Sequence, residues 1–232
     1  PAAIALSRDP FPAISFGSYA TLRGPIRHFR AFSAVPAIMI SQTPRRIVPP
    51  PRPAIAWLLG AIIAAATTGV FWEAQYYGFF AADDNAYAEV SRFTQTGMNT
   101  PNLVAAFTGF HITNYHPMTL VSLMADRTLF GPGAAGYHRV NVALHVANTL
   151  LLLGLLRTMT ASLWPAALAA ALFGIHPLHV EPVVWISSRK DVLSTFFMLL
   201  TIGAYVGYVR TGSKLRYGLA CPWFLLGLMS KQ

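Results

Sequence analysis

The sequence of 232 residues has little charge and a single cysteine. Charged side chains make up 11% of the chain, against about a quarter in a soluble domain, whereas 54% of the residues are apolar. A mean hydropathy of +0.48 excludes intrinsic disorder over most of the length. The lone Cys221 excludes a disulfide framework and a cysteine-rich metal cluster. We therefore predict an integral membrane protein.

Acidic residues are almost absent from residues 1–53, where Asp9 stands alone. The same segment holds 10 of the 17 prolines and seven arginines. Because proline breaks helices, no element long enough to pack is expected there, and we predict a disordered basic tail. The chain starts at Pro1 and stops at Gln232 directly after an apolar run, so we expect it to be a fragment of a longer protein.

Five runs without charged residues follow this tail. The first, Ala54–Trp72, would extend about 28 Å as a helix, close to the hydrocarbon thickness of about 30 Å. On this basis we predict an all-α membrane protein, a polytopic helical bundle. The predicted spans lie near 54–72, 140–156, 158–180, 192–209 and, cut short by the end of the chain, 217–230.

Residues 93–125 also lack charge, but their asparagines, histidines and prolines make membrane crossing costly. We interpret them as interfacial helices in a long outer loop, residues 73–139. Every acid except Asp9 then lies on the outer face, which suggests chemistry there because acids contribute little to orientation. The balance of lysine and arginine slightly favours the alternative, in which 93–125 crosses the membrane.

Two neighbouring carboxylates, Asp83 and Asp84, lie just beyond the first predicted span. Adjacent residues do not share a helix face, so the two are expected to do different jobs. One could face a cavity while the other anchors the backbone or a metal. A solvated acidic turn is the simpler alternative.

A second group of polar residues precedes the fourth predicted span. His176, His179 and Glu181 could bind a divalent metal such as zinc or manganese, although their spacing matches no standard zinc motif and helix capping explains the histidines equally well. Arg189 and Lys190 are cations suited to phosphate, with Asp191 beside them near a helix N-terminus. Snorkelling of these cations at the membrane interface is the alternative.

Polar residues also occur inside the second span, where His145 and Asn148 are expected to form interhelical hydrogen bonds. The sequence contains no phosphate-binding loop, dinucleotide motif or hydrolase elbow. The basic tail lacks the interleaved aromatic residues of a base-stacking surface, so we predict no specific nucleic-acid partner.

Six segments in chain order resemble the N-terminal membrane half of a known group of proteins. They are Asp83–Tyr87, Asn114–Thr119, His145–Leu150, His176–Glu181, Arg189–Leu193 and Gly227–Lys231. The group comprises bacterial tetratricopeptide-repeat membrane proteins related to the eukaryotic transmembrane and TPR-containing O-mannosyltransferases, of the GT-C glycosyltransferase class. The resemblance covers roughly residues 57–231.

The resemblance implies transfer of a sugar from a polyprenyl-phosphate donor to a protein or glycan hydroxyl on the outer face of a membrane. It further implies a bacterial inner membrane, with the active face outside the cytoplasm. GT-C enzymes keep an essential acid just after the first helix, and Asp83 matches that position. The second acid is Asp84 where related patterns have glutamate, which leaves open which carboxylate is the base.

The remaining candidates follow from this reaction. Growing charge on the leaving phosphate calls for cations, and Arg189 and Lys190, with Arg139 behind them, are the candidates. His116, Asp191 and Tyr87 are predicted to support the site. A metal is optional in this chemistry, and Glu181, His176 and His179 would hold one. The alternative function is a non-enzymatic membrane anchor or scaffold for a repeat domain.

Overall fold

The computed structural model describes residues 53–80, 83–84, 87, 91–111 and 114–231. The predicted basic tail lies outside these residues, except for Pro53, which begins the first helix. The described residues form helices and turns, with an isolated β-bridge between His111 and Asn114. The prediction of an all-α membrane protein is confirmed.

Three long helices dominate the described structure. Helix α1 (Pro53–Phe71) continues into a 3-10 turn, Trp72–Tyr76, and α5 covers Ala134–Thr160. Helix α8 (Arg189–Thr211) follows a 3-10 turn at Ile186–Ser188. With these turns included, each of the three is long and apolar enough to cross a membrane.

A broken pair of helices is a fourth candidate span. Helix α6 (Leu163–Ile175) is followed by a 3-10 turn, Pro177–His179, and by the short helix α7 (Val180–Val184). The two parts are bent by 50° and count as a span only if they are taken together. The bend lies at the break between Ile175 and Pro177, and the missing N–H of Pro177 interrupts the helical hydrogen bonds there.

Two predicted boundaries differ from the structure. Helix α5 begins at Ala134, inside the segment interpreted as loop, and runs to Thr160. The uncharged run 158–180 therefore contains the end of one helix, a turn at Ala161 with φ of 54°, and the start of the next. Because the residues of this turn are uncharged, the distribution of charged residues does not show where one helix ends and the next begins.

The last predicted run corresponds to helix α9 (Lys214–Leu228), which has 15 residues and contains Pro222. It is shorter than the helices that qualify as candidate spans. Helices α8 and α9 pack together, and the stacked rings of Phe197 and Trp223 lie 6.1 Å apart at their contact.

The segment 93–125 forms short helices. They are α2 (Arg92–Thr96), α3 (Thr100–Thr108) and α4 (Pro117–Phe130), of 5, 9 and 14 residues. None qualifies as a candidate span among the described residues. The side chain of Asn99 caps α3 by accepting a hydrogen bond from the Asn102 N–H at 2.9 Å. Placement of these helices at the membrane interface stays a prediction.

Polar side chains inside the bundle connect its helices. His145 Nε2 lies 3.0 Å from the carbonyl oxygen of Gly174 on α6, and Asn148 Nδ2 donates to the carbonyl of Val192 on α8 at 2.9 Å. The predicted interhelical hydrogen bonds are confirmed. These bonds hold α5 between α6 and α8, which also positions the polar residues near the start of α5.

Candidate functional site

Asp84 joins two distant segments of the chain. Its side chain is 1% exposed, and its Oδ1 accepts a hydrogen bond from the Ser187 N–H at 2.7 Å. Its Oδ2 accepts from the Phe80 N–H at 3.0 Å. Charge-assisted bonds of this kind are stronger than neutral ones. The segment after α1 is thereby fastened to the turn that leads into α8, beside Arg189 and Lys190.

Asp83 has different surroundings from its neighbour, because it is exposed whereas Asp84 is buried. Asp84 anchors backbone N–H groups, which is one of the two jobs expected for the pair. Asp83 keeps its carboxylate accessible. The catalytic roles of both residues stay predictions.

A cluster of polar and aromatic side chains surrounds Tyr87, and we call Asp83, Tyr87, His111, His116 and Lys190 the Tyr87 cluster. The Tyr87 ring is 2% exposed and lies 5.5 Å from the His111 ring and 5.3 Å from the His116 ring. Lys190 Nζ lies 5.4 Å from the Tyr87 ring centroid, within the range of a cation–π contact.

The electrostatics of Tyr87 link it to Asp83. Burial raises the pKa of the Tyr87 hydroxyl, a hydrogen bond with Asn114 lowers it, and the charge of Asp83 raises it further. The Asp83 carboxylate is therefore within electrostatic range of the Tyr87 hydroxyl. The structure therefore brings together four of the predicted site residues: Asp83, Tyr87, His116 and Lys190.

His116 begins helix α4 and is 3% exposed. Burial is the main cause that lowers the pKa of its imidazole to about 4, and His111 and Lys190 lower it as well. The imidazole is therefore neutral at pH 7. Its Nε2 has no hydrogen-bond partner within the described part of the chain.

Arg189 points into the protein and is 0% exposed. Its guanidinium donates to Asp126 Oδ2 at 2.6 Å, to Ser122 Oγ at 2.6 Å and to the carbonyl of Tyr137 at 2.9 Å. Its Nε also donates to Asn141 Oδ1. Burial raises the pKa of Asp126, and the adjacent guanidinium opposes this shift. Arg189 thus joins α4, α5 and α8. Its guanidinium nitrogens are enclosed by these helices and are not accessible at the protein surface.

Arg139 and Asp191 lie outside the Tyr87 cluster as the structure shows it. Arg139 is exposed, and its Nε donates to Gln75 Oε1 at 3.1 Å beside a separate cavity between α1 and α5. Asp191 forms an ion pair with Lys231, and both side chains are partly exposed. This pair fastens the start of α8 to the last described residues.

The end of the chain also contacts the loop helices. Thr119 Oγ1 donates to the carbonyl of Ser230 at 2.8 Å, and the Met118 N–H donates to the carbonyl of Met229 at 3.1 Å. The start of α4, where His116 lies, is therefore held against residues 229–231 at the same end of the bundle as Asp191.

The candidate metal ligands are arranged as capping and packing groups. His176 Nδ1 accepts a hydrogen bond from the Leu178 N–H at 3.2 Å, and the His179 ring lies 4.5 Å from the Phe173 ring. Within the described ranges, no three His, Cys, Asp or Glu side chains come together as a group that could hold a metal. Glu181 instead lines a cleft.

This cleft, of about 530 Å³, lies between the segment after α1, the start of α5 and helix α7. Aromatic side chains form much of its wall, and Asp84, His138 and Glu181 supply polar groups. The aromatic residues are Tyr77, Phe79, Phe80 and Trp185. Apolar walls with a few convergent polar groups are typical of ligand sites.

Two buried side chains at the cleft have ring nitrogens without a well-aligned hydrogen bond to any described residue. His138 is 2% exposed, and neither of its ring nitrogens has a well-aligned hydrogen bond to a described residue, although backbone groups of Gly78 and Val184 lie near the ring. Trp185 Nε1 is likewise buried and unpartnered among the described groups. Unpaired buried polar atoms are costly, so a ligand that bonds to them would be favoured.

The sequence prediction missed Asn141 and Ser122 as partners of Arg189, and His138 as a cleft residue. The sequence contains a signal for His138 and Asn141. His138, Asn141, His145 and Asn148 recur at steps of three and four, which places them on one face of α5, and all four are buried. Ser122 carries no comparable signal, because it lies in a short helix of mixed composition.

Comparisons with known proteins agree with the motifs. The chain is 34% identical over 116 residues to protein O-mannosyl-transferase Tmtc2 of Drosophila melanogaster, covering 49% of this chain and 12% of that protein. It is 35% identical over 115 residues to Drosophila Tmtc1, covering 50% and 13%. Human TMTC2 is 31% identical over 98 residues, covering 42% and 12%.

No family model and no solved structure matches the chain. The matched region is a small part of the relatives, about an eighth of the length of these three. Over about half of its own length, the chain is related to the TMTC-type protein O-mannosyltransferases.

Proposed function

We propose that this chain carries part of the membrane domain of a GT-C-type glycosyltransferase, which transfers a sugar from a polyprenyl-phosphate donor to a hydroxyl group of a protein acceptor. The relatives named above are protein O-mannosyl-transferases, which supports sugar transfer to a protein. The observation that carries the proposal is the contact of Lys190 with the Tyr87 ring, together with the effect of the Asp83 charge on the Tyr87 hydroxyl.

Asp83 is the proposed general base. A hydroxyl that attacks the anomeric carbon must lose its proton, and a positioned base typically contributes about 10²–10⁴-fold to the rate. Asp83 is exposed and therefore accessible to an acceptor, whereas the oxygens of Asp84 are occupied by backbone N–H groups. In this proposal Asp84 is a positioning residue that holds Asp83 in place.

Lys190 is the proposed partner of the donor phosphate. Negative charge grows on the phosphate as the glycosidic bond breaks, so a fixed cation stabilises the transition state more than the ground state. Lys190 is partly exposed, whereas Arg189 is enclosed and bonded to Asp126. We therefore assign Arg189 a positioning role in α8.

The cleft beside Asp84 suits a sugar ring. Aromatic side chains such as Trp185 and Phe80 can pack against the apolar face of the ring. Glu181 and His138 can exchange hydrogen bonds with its hydroxyl groups. Asp84 lines this cleft and is bonded to the turn before Lys190, so a sugar bound there would lie beside the segment that carries the proposed base.

The test is sugar transfer by the full-length protein in membranes, from a polyprenyl-phosphate mannose donor to a protein acceptor. Asp83→Asn should lower kcat by about 10²–10⁴-fold without lowering the thermal stability, because Asp83 is exposed. The matched control is Glu73→Gln, another exposed acid at the end of the first span. Wild-type turnover in Asp83→Asn would remove this residue from the mechanism.

The phosphate assignment is tested separately. Lys190→Gln should raise KM for the donor and lower kcat, whereas Lys214→Gln, at the start of α9 and the opposite end of α8, should leave both unchanged. Wild-type kinetics of Lys190→Gln at limiting donor would contradict the assignment. Absence of transfer by the unmodified full-length protein, with every polyprenyl-phosphate sugar tried, would favour the membrane-anchor alternative.

A further inference from the structure

Two cavities lie between α1 and α5, apart from the Tyr87 cluster and the cleft. One, of about 380 Å³, is lined by Trp72 at the end of the first span and by Arg139 at the start of α5. The other, of about 460 Å³, is lined by Trp57 at the start of α1 and by Arg157 near the end of α5. Each cavity thus has one arginine and one tryptophan at its border.

The two arginines occupy equivalent positions on α5. They are 18 residues apart, which corresponds to about five helical turns, so both side chains start from the same face of the helix. At about 1.5 Å per residue their separation is about 27 Å. This matches the hydrocarbon core of a bilayer, which is about 30 Å thick, and places one guanidinium near each headgroup layer.

The face of α5 between them is directed away from the protein interior. Ala143, Leu150 and Gly154 are exposed on this face, whereas the polar residues from His138 to Asn148 are buried on the other. On α1, Trp57 is 80% exposed. An apolar groove exposed in this way between two candidate membrane spans is open to lipid.

The charge at both ends of the groove is positive. Arg139 and Arg157 are exposed, and among the described residues neither has an acidic partner, since Arg139 donates to the neutral Gln75. A guanidinium binds phosphate with two parallel hydrogen bonds. Tryptophan rings at the same depth favour the headgroup region, where a lipid phosphate lies.

From these observations we propose that the α1–α5 groove binds anionic phospholipids, one from each leaflet. The headgroup phosphates would contact Arg139 and Arg157, and the acyl chains would fill the two cavities between the helices. Anionic lipid is preferred to zwitterionic lipid because it leaves a net negative charge to pair with each arginine. This proposal is separate from the proposed sugar transfer, because Arg139, although a candidate for the donor phosphate in the sequence, lies outside the Tyr87 cluster and beside a different cavity.

The experiment measures lipid binding to the purified full-length protein by native mass spectrometry, with phosphatidylglycerol and with phosphatidylcholine as probes. The wild type should retain phosphatidylglycerol in preference to phosphatidylcholine. The double variant Arg139→Gln/Arg157→Gln should weaken phosphatidylglycerol binding by about tenfold, corresponding to about 1.4 kcal/mol. The matched control is Arg210→Gln/Lys214→Gln, which removes the same charge from exposed positions outside the groove.

A further variant tests the chain-binding part of the groove without changing its charge. Ala143→Phe would fill the cavity next to Arg139, so it should also reduce phosphatidylglycerol binding while leaving stability in lipid-free detergent unchanged. Wild-type phosphatidylglycerol binding by the double arginine variant would overturn the proposal. So would cross-linking from position 143 to another protein helix rather than to lipid.

Discussion

At the scale of single residues, Arg189 shows that a sequence motif can identify a residue without indicating where its side chain points. The Arg-Lys-Asp segment indicates two cations at the start of a helix, but it does not show which of them faces inward. The structure encloses Arg189 with Asp126 and leaves Lys190 beside Tyr87. Consecutive residues on a helix are about 100° apart, so the side chains of Arg189 and Lys190 point into different surroundings.

The buried ion pair leads to a stability prediction. Arg189→Met should lower the free energy of unfolding by about 3–5 kcal/mol, because it leaves the Asp126 carboxylate buried without its cation. Adding Asp126→Leu should recover most of the loss, since no unpaired charge remains. The measurement is denaturant unfolding in detergent. A double variant as unstable as the single one would show that the ion pair is not the source of the loss.

The lowered pKa of His116 predicts that the free energy of unfolding depends on pH. In the unfolded chain its imidazole binds a proton below its ordinary pKa of 6.5, whereas the folded protein binds it only below about 4. The unfolded state therefore holds more protons in this window, and the free energy of unfolding should fall as the pH is lowered from 6.5 to 4.

The comparison is between the wild type and His116→Gln, which cannot titrate. The difference between their unfolding midpoints should be nearly constant above pH 7 and should shift in favour of the variant by pH 5. A difference that stays constant over the whole range would contradict the neutral, buried imidazole.

At the scale of helices, the long uncharged runs overlap the long helices of the described structure. The uncharged runs did not indicate where the helices begin and end. The break at Ala161 and the bend after Ile175 both fall inside one uncharged run, so only local backbone geometry separates the elements. Helix α5 begins earlier than predicted, and the polar side chains of its second turn, His138 and Asn141, are buried against other elements.

Close packing of α6 against α1 and α5 depends on Gly174. A Cβ atom at this position would lie 2.4 Å from Thr67 Oγ1 and 2.9 Å from Thr149 Cγ2. Gly174→Ala should therefore force the helices apart and lower the free energy of unfolding by about 1–3 kcal/mol. Unfolding in detergent measures the effect.

The matched control is Gly203→Ala on α8, where a Cβ would meet no atom within 4 Å. This variant should be neutral or slightly stabilising, because alanine is the better helix former. Equal stability of Gly174→Ala and Gly203→Ala would contradict the close packing at Gly174.

At the scale of the whole molecule, the candidate site depends on the meeting of two segments that are about a hundred residues apart. Periodicity and composition place Asp84 after one span and Ser187 before another, but neither indicates that they touch. The polarity of residues 93–125 and the resemblance favoured a common face without showing a contact. The hydrogen bonds of Asp84 and the contact of Lys190 with Tyr87 supply the physical reason.

The most direct test of this arrangement is labelling of single cysteines with a membrane-impermeant maleimide in sealed vesicles. Cys221 is replaced by serine, and Asp83→Cys, Glu181→Cys and Gly212→Cys are introduced one at a time into exposed positions. The account predicts that positions 83 and 181 react from the same compartment, and that position 212, at the opposite end of α8, reacts from the other. Labelling of positions 83 and 181 from opposite compartments would contradict it.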